Sequence, residues 1–350
     1  MKCYQVDPIR DPRWATFTGG HPRASIFHSI AWLTALKHTY NYEPVVFTTS
    51  PPDQELENGL AFCQVNSWLT GNRLVSLPFS DHCEFLFDST ERLDFLISNL
   101  LAEFEVHKWK YLELRPVNAG LDRSGDSGAF TPTEKFFLHA LDLHGDIDEL
   151  FQNLDKDSVQ RRVRRADHAN LNQKCGASEP LLKDFYKLLV ITRRRHGIPP
   201  PPYAWFQNLI RHLAGALEIR LAYQKESPIA GILTLRFRDV VYYKYGCSDT
   251  RFNQFGAMPW LLWNAISAAK SSGAIEFDLG RTDANDAGLL AFKNHWVPHP
   301  KQLVYWRFPK GARAQPAMEG WKSKLAGLTF SKMPAGILEF TGQMLYRHFG

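Results

Sequence analysis

The chain has 350 residues, of which 44% are hydrophobic and 22% charged. This length predicts about two domains with cores large enough to fold without disulfides or metals, and this balance excludes a disordered chain. A net charge of +5 and an isoelectric point near 8.8 admit an anionic partner, whether a phosphate, a nucleic acid or an anionic lipid surface, without requiring one.

Ser25 is placed to cap a helix running to about Lys37, with Ile26, Ile30, Leu33 and Leu36 at helical spacing. Apolar runs at 45–48, 59–68 and 73–79 are bounded by turn residues and read as strands. Residues 91–107 put Leu93, Leu96, Ile97, Leu100, Leu101 and Phe104 on one helix face. Residues 111–117 and 136–143 are strand-like, and 118–132, rich in Gly, Asp and Ser, reads as a loop. Residues 181–196 form an amphipathic helix that ends in Arg193, Arg194, Arg195 and His196, before Gly197 and a proline run. Cations in the last turn and glycine at the stop suit a helix C-terminus. A short helix is predicted over 203–213 and strands over 217–223, 229–237 and 240–246, the last two a hairpin across Arg238-Asp239. Pro259 opens a helix to about Ser271, and strands at 274–279 and 303–308 close the pattern.

The two halves repeat one order. LPFSDHCEF precedes a helix and YLELRPV in the first; YGCSDTRF precedes a helix and IEFDLGRT in the second. This predicts a duplicated α/β (α+β) fold of about 150 residues per copy. The boundaries read as a first domain over 1–134, a second over 135–310 and a basic amphipathic tail over 311–350. From Lys310 onward the basic residues are Lys310, Arg313, Lys322, Lys324, Lys332 and Arg347, against Glu319 and Glu339, with Trp321, Leu325, Leu328 and Phe330 between them. The tail reads first as a helix packed on the body and, functionally, as a contact for an anionic membrane surface.

The signatures of several familiar enzymes are missing: G-x-S-x-G, the Walker P-loop, H-E-x-x-H and G-x-G-x-x-G. His295 and His299 are separated by the helix breaker Pro298, which argues against a zinc pair, and no metal is expected. Cys3, Cys63, Cys83, Cys175 and Cys247 are scattered and contain no C-x-x-C, as in a reducing compartment. No run approaches ~18 apolar residues, and MKCYQVDPIRDPRW lacks a signal sequence's apolar segment. A cytoplasmic protein is expected.

Three segments carry candidate chemistry. In the first, Arg161, Arg162, Arg164 and Arg165 crowd five positions. They form either a solvated helix face or a set of guanidinium forks for a phosphate-bearing substrate. The second, YYKYGCSDTRFNQFGAMP, runs from an aromatic strand into a helix start, where backbone amides form an anion site. Its spacing around Gly256 departs from the Q/R-x-x-G-x-G/A loop of acyl-CoA acetyltransferases. The third is FDLGRTDANDAGLLAFKNHW, with Asp278 and Arg281 at a strand end and Lys293 between Phe292 and Trp296. Lys293 is either an oxyanion or phosphate stabiliser or a lysine whose stem packs on rings.

HSIAWLTAL, LPFSDHCEF, TRRRHGIPP, IEFDLGRT and GLLAFKNHW occur in that order over roughly 20–310. On these motifs the chain resembles the FemABX-like acyltransferases of the GNAT superfamily. The resemblance implies two tandem GNAT-like domains, each a mixed, mostly antiparallel sheet flanked by helices, with an acceptor cleft between them. It implies N-acyl transfer, most directly of an aminoacyl group from a charged tRNA to an amine on a phosphate-bearing envelope precursor, such as a peptidoglycan or polysaccharide intermediate. An acyl-CoA-dependent N-acetyltransferase and a non-catalytic binder of sugar phosphates or lipid head groups are the alternatives. The donor, aminoacyl-tRNA or acyl-CoA, is a substrate, and no tightly bound cofactor is expected.

By the same resemblance Lys293 matches the lysine of the family's Phe-Lys pair. It would stabilise the reacting carbonyl, so Lys293→Ala is expected to lose activity while staying folded. Asp81 and Asp283, with Asp249, are the candidate bases. Arg161, Arg162, Arg165, Tyr243, Tyr245, Arg281 and Phe292 are the candidate substrate contacts. The tail allows a peripheral location at the membrane's inner face.

Overall fold

The computed structural model describes residues 1–118, 129–311 and 324–350. Strand β1 (Tyr4–Val6) leads into helix α1 (Pro12–Gly20), which starts on a proline and is capped by Asp11. Helix α2 is Ile30–Tyr40 and does not begin at Ser25. The buried His28 ring occupies that serine: Nδ1 accepts from the Ser25 amide at 3.1 Å and lies 3.0 Å from Oγ. Ile26–His28 therefore forms its own 3-10 turn, and Ser29 caps α2 by accepting from the Trp32 amide.

Strands β2 (Glu43–Thr48), β3 (Leu60–Val65) and β4 (Arg73–Val75) follow. Helix α3 (Thr90–His107) is capped by Ser89, buries Leu93, Leu96, Ile97, Leu100 and Phe104, and ends at left-handed Lys108. Then come β5 (Leu112–Leu114), β6 (Thr131–Asp142), α4 (Ile147–Asn153), α5 (Arg161–His168), β7 (Asn172–Gly176), α6 (Glu179–Arg195) and α7 (Tyr203–His212). Of the predicted loop at 118–132, the stretch 119–128 lies outside the described residues, and Thr131 and Pro132 already belong to β6. The meander β8 (Leu217–Gln224), β9 (Ser227–Phe237) and β10 (Val240–Ser248) turns at Arg238, whose φ is 54°. The remaining elements are α8 (Ala257–Ser271), β11 (Glu276–Asp283), α9 (Ala287–Asn294), β12 (Lys301–Phe308), α10 (Lys324–Lys332) and α11 (Ala335–Leu345).

The chain divides into two compact units. The first comprises Met1–Lys135, Leu303–Gly320 and Met344–Gly350; the second comprises Phe136–Gln302 and Trp321–Gln343. In the first, β1, β2, β3 and β4 pair antiparallel in that order, β4 pairs parallel with β5, and β5 pairs antiparallel with β12. In the second, β7, β8, β9 and β10 pair antiparallel, β10 pairs parallel with β11, and β11 pairs antiparallel with β6. Each unit thus repeats a meander, one helix-linked parallel pair and a flanking antiparallel strand. The sequence reading places 303–308 at the end of the second domain. In the structure this strand completes the first unit's sheet, with Trp306, Arg307 and Phe308 opposite Leu114, Glu113 and Leu112. That register buries Trp306 with Leu112 and Leu114 in one apolar cluster.

It also sets Glu113 between two guanidiniums. Arg115 Nε donates to one carboxylate oxygen at 2.8 Å and Arg307 Nε to the other at 2.7 Å. Burial alone would raise this carboxyl, but Arg115 and Arg307 hold it down at about 2.

The tail packs back on the body. In the first unit the fully buried Arg73 donates from Nη2 to the carbonyls of His348 at 2.8 Å and Gly350 at 2.7 Å. In the second, Gly327 of α10 closes on Gly197, and Gly342 of α11 on Pro200. Arg313, Trp321 and Lys322 of the predicted amphipathic tail lie outside the described residues.

His28 supplies a pH test of the first unit. Burial holds its imidazole at about 4, with Nε2–H donated to the Glu84 carbonyl. A folded-state value below the unfolded one gives stability that is complete above about pH 6.5 and is lost as pH falls toward 4. Between about pH 7 and pH 5 the folded state should lose about 2 kcal/mol through this residue. Chemical denaturation at the two pH values should show that loss in the wild type and a smaller one in His28→Asn.

Candidate active site

In the second unit β10 and β11 lie parallel for three register pairs: Val240 with Glu276, Val241 with Phe277 and Tyr242 with Asp278. Beyond this point both strands are bulged, β10 between Tyr243 and Tyr245 and β11 between Asp278 and Gly280. A bulge adds one residue and bends its strand, so the pair parts. A cavity of about 280 Å³ opens beside the free stretch of β10. Tyr243, Gly246, Cys247 and Ser248 of β10 line it, with Leu289 and Phe292 of α9, Arg162 of α5, Thr192 and Arg195 of α6, and His196 just beyond α6.

The far wall is the start of α8. Gly256 caps that helix with φ at +73°, and a Cβ there would overlap the Arg162 carbonyl. Glycine is therefore required twice over, for its backbone angle and for the close approach of α5. Among the described residues no protein acceptor takes the amides of Ala257 and Met258, and Pro259 has none to offer. These are the orphan donors of a helix N-terminus and carry its partial positive charge.

The electrostatics favour an anion at this end. Arg162 forms no ion pair or side-chain hydrogen bond among the described residues. Arg195 donates to the Ser248 carbonyl and lies 3.3 Å from His196 Nε2. Partial burial and the neighbouring Arg195 and Arg193 hold His196 below the ordinary imidazole range, so at neutral pH it is uncharged, with Nε2 accepting from Arg195. Asp249 is the acid in the wall, and it caps the 3-10 turn Thr250–Phe255. Hydrogen bonds from Arg251 hold its carboxyl below the usual range, which makes it a weak base. Burial pushes the Tyr243 phenol above its usual range. It stays protonated and can only enter chemistry as a proton donor first.

The structure sorts the sequence candidates. Arg162 lines the cavity, whereas Arg161 pairs with Asp157 at 2.5 Å and Arg165 donates to the Gln254 carbonyl. Tyr243 and Phe292 line it too. Tyr245 does not: the bulge at Lys244 sends it to the other face, where its hydroxyl accepts from Trp205 Nε1 at 2.9 Å. Arg281 lies over the Phe136 ring at 4.2 Å, and Asp283 binds the Asn285 amide in the turn before α9. Asp81 lies in the first unit, where its carbonyl accepts from Tyr305. The α8 amides stand where the sequence places an anion site, at the helix start after Gly256, whereas His196 and Thr192 are the features sequence reading missed. The signal for His196 was the Arg193–Arg195 run, which was read as a helix stop alone.

Lys293 is placed differently from the sequence expectation. It is 3% exposed, and Nζ donates to the carbonyls of Gly280 at 3.1 Å and Arg281 at 2.9 Å. These bonds fasten α9 to the bulged part of β11, and the buried His139 of the neighbouring β6, bonded to Asn294 at 2.9 Å, holds the same helix. The effect on the cavity is to fix Leu289 and Phe292. Among the described residues no group of three His, Cys, Asp or Glu could hold a metal.

The first unit carries the same parallel pair without the opening. Past Val75 the edges stay bridged: the Ser76 amide donates to the Glu113 carbonyl and the Cys83 amide to the Arg115 carbonyl, both at 2.8 Å. The Arg115 guanidinium fills the gap, donating to the Leu77 and Ser80 carbonyls. Leu77 and Phe79 take left-handed angles to let the chain fold into this position.

Residues 156–294, which include the whole cavity wall, match a family model described as an acetyltransferase (GNAT) domain. No curated protein sequence matches the chain. Among solved structures it is similar to FemX, with a TM-score of 0.66 and 16% identity over 88% of this chain and 97% of that one. It is similar to the C-terminal domain of a putative lysylphosphatidylglycerol synthetase from Agrobacterium fabrum, with a TM-score of 0.59 and 11% identity over 92% and 96%. It is also similar to a tandem GNAT protein from the clavulanic acid biosynthesis pathway, with a TM-score of 0.53 and 8% identity over 90% and 98%. The fold is that of the tandem GNAT proteins, with the mixed, mostly antiparallel sheet and flanking helices that the sequence implies.

Lys293→Ala should remove two charge-assisted hydrogen bonds, one buried and one partly buried, and cost about 3 kcal/mol of stability. Denaturant unfolding measures this directly. A variant as stable as wild type yet inactive would return Lys293 to the reacting carbonyl.

Proposed function

From a GNAT acyltransferase domain set in a FemABX-like tandem fold, we propose that the chain forms an amide bond by moving an aminoacyl group from a charged tRNA to an amine of an envelope precursor. One observation carries the reading: a single cavity joins an anion-binding end, made of Arg162 and the α8 amides, to a partly buried phenol, Tyr243. An anionic donor held at the first would present its carbonyl toward the second. Pro259 leaves two free amides at the helix start, which suits one phosphate better than a pyrophosphate. The likeness to FemX and to a lysylphosphatidylglycerol synthetase domain supports an aminoacyl donor and an envelope acceptor.

The step balances without a cofactor. The acceptor's neutral amine attacks the ester carbonyl carbon, the C–N bond forms and the C–O bond to the ribose breaks. Tyr243 gives its proton to the leaving ribose oxygen and recovers one from the new ammonium. Asp249, locked to Arg251, takes no part. Positioning by the walls supplies the largest share, up to ~7–11 kcal/mol in well-oriented reactions.

A second reading has acyl-CoA as donor. It is favoured by the family model's description as an acetyltransferase domain. The same cavity would bind its phosphates, and the leaving group would be a thiolate.

A donor titration separates the two. A ligand at 100 times its Kd adds about 2.7 kcal/mol to the native state. A pool of charged tRNA should raise the thermal midpoint, uncharged tRNA should raise it less, and acetyl-CoA should leave it unchanged. A shift with acetyl-CoA alone replaces the first reading by the second. With the productive donor, Tyr243→Phe should lower kcat about a hundredfold while leaving the donor-induced shift intact; wild-type kcat in that variant removes the phenol from the step.

A further inference from the structure

Helix α11 buries one side and leaves the other open. Leu338 is fully buried, and Gly342 sits so close to Pro200 that a Cβ would overlap its carbonyl. On the opposite side Ile337, Phe340 and Met344 are 54%, 62% and 46% exposed. Their spacing of three and four residues lines them up in one outward stripe. Leu328 of α10 is also open, at 62%. Isolated exposed apolar residues need no explanation, but an aligned stripe on a packed helix does.

The stripe is flanked by charge of one sign. Lys332 is exposed at the end of α10, beside Arg194, whose Nε donates to the Ser331 carbonyl at 3.1 Å. Arg347 is exposed three residues past Met344. The acid of this segment, Glu339, is partly buried on another side of the helix, and desolvation pushes its carboxyl up. Two copies of this face brought together would oppose cations to cations. An anionic surface meets no such repulsion.

The chain beyond the helix is anchored in the first unit. After α11 the chain turns at Tyr346–His348 and is gripped by Arg73 through the His348 and Gly350 carbonyls, while the Gly350 amide donates to Tyr42.

We propose that the outer face of α11 docks on an anionic lipid bilayer, with Ile337, Phe340 and Met344 entering the interface and Lys332 and Arg347 meeting the head groups. An interfacial helix gains from its buried apolar area and from attraction to anionic lipid together. Among the described residues no helix is long and apolar enough to cross a membrane, so the contact is one of docking, not insertion. The proposal is independent of which acyl donor the cavity takes.

Sedimentation of the full chain with vesicles tests it. The chain should bind vesicles of equal parts phosphatidylglycerol and phosphatidylcholine, release them in high salt, and ignore phosphatidylcholine alone. The double variant Ile337→Ser, Phe340→Ser should keep the wild-type thermal midpoint, since both side chains are exposed, and bind about tenfold more weakly. Failure of wild type to bind the anionic vesicles at low salt, or equal binding by the double variant, overturns the proposal. So does a wild-type dimer in light scattering that the double variant dissolves, which would give the stripe to a second copy.

Discussion

The candidate site depends on one constraint, the early parting of two parallel strands. A parallel pair that kept its ladder would close the sheet with backbone hydrogen bonds and leave no room for a ligand. Here β10 and β11 keep three pairs, and then a bulge in each carries them apart. The consequences follow in order. Tyr243 turns into the gap, the helix after β10 starts with unpaired amides, and α9 must be fastened across the bulged part of β11. Lys293 does that fastening, and the His139–Asn294 bond holds the same helix from β6.

The first unit shows what the same architecture becomes when the gap is filled. Its parallel pair is bridged past its end by Ser76 and Cys83, and Arg115 occupies the space with three of its partners in the backbone and Glu113. Burying a guanidinium is costly unless its charge and donors are all met, and Glu113 meets the charge while sharing it with Arg307. One unit thus keeps the gap open, and in the other it is filled.

Much of this was legible in the residues. The element order, the helix at 90–107 and the repeated strand–helix–strand pattern follow from periodicity and capping. The errors have local causes. Ser25 looks like a helix cap until a buried histidine three residues on takes its hydrogen bonds. Four arginines in five positions cannot be ranked until Val163 and Ala166 are known to face the core, which turns Arg162 toward the cavity. Tyr243 and Tyr245 share a face in any regular strand, and only the bulge between them separates the two. The Phe-Lys pair was legible as a unit, but its lysine's partners are carbonyls 12 and 13 residues away, which no pattern of side chains records. The partner of β12 was hidden for the same reason: a strand's apolar pattern does not say which edge it completes.

The central claim is that the acyl donor sits in the gap beyond Tyr242, against the start of α8. Hydrogen exchange with and without a saturating donor tests it most directly, with charged tRNA and acetyl-CoA supplied separately. The account predicts slowed exchange at the Ala257 and Met258 amides and along 243–248 with one of the two, and no change at 74–83 in the first unit. Unchanged exchange at Ala257 and Met258 under a donor that supports turnover, or protection appearing at 74–83 instead, would contradict it.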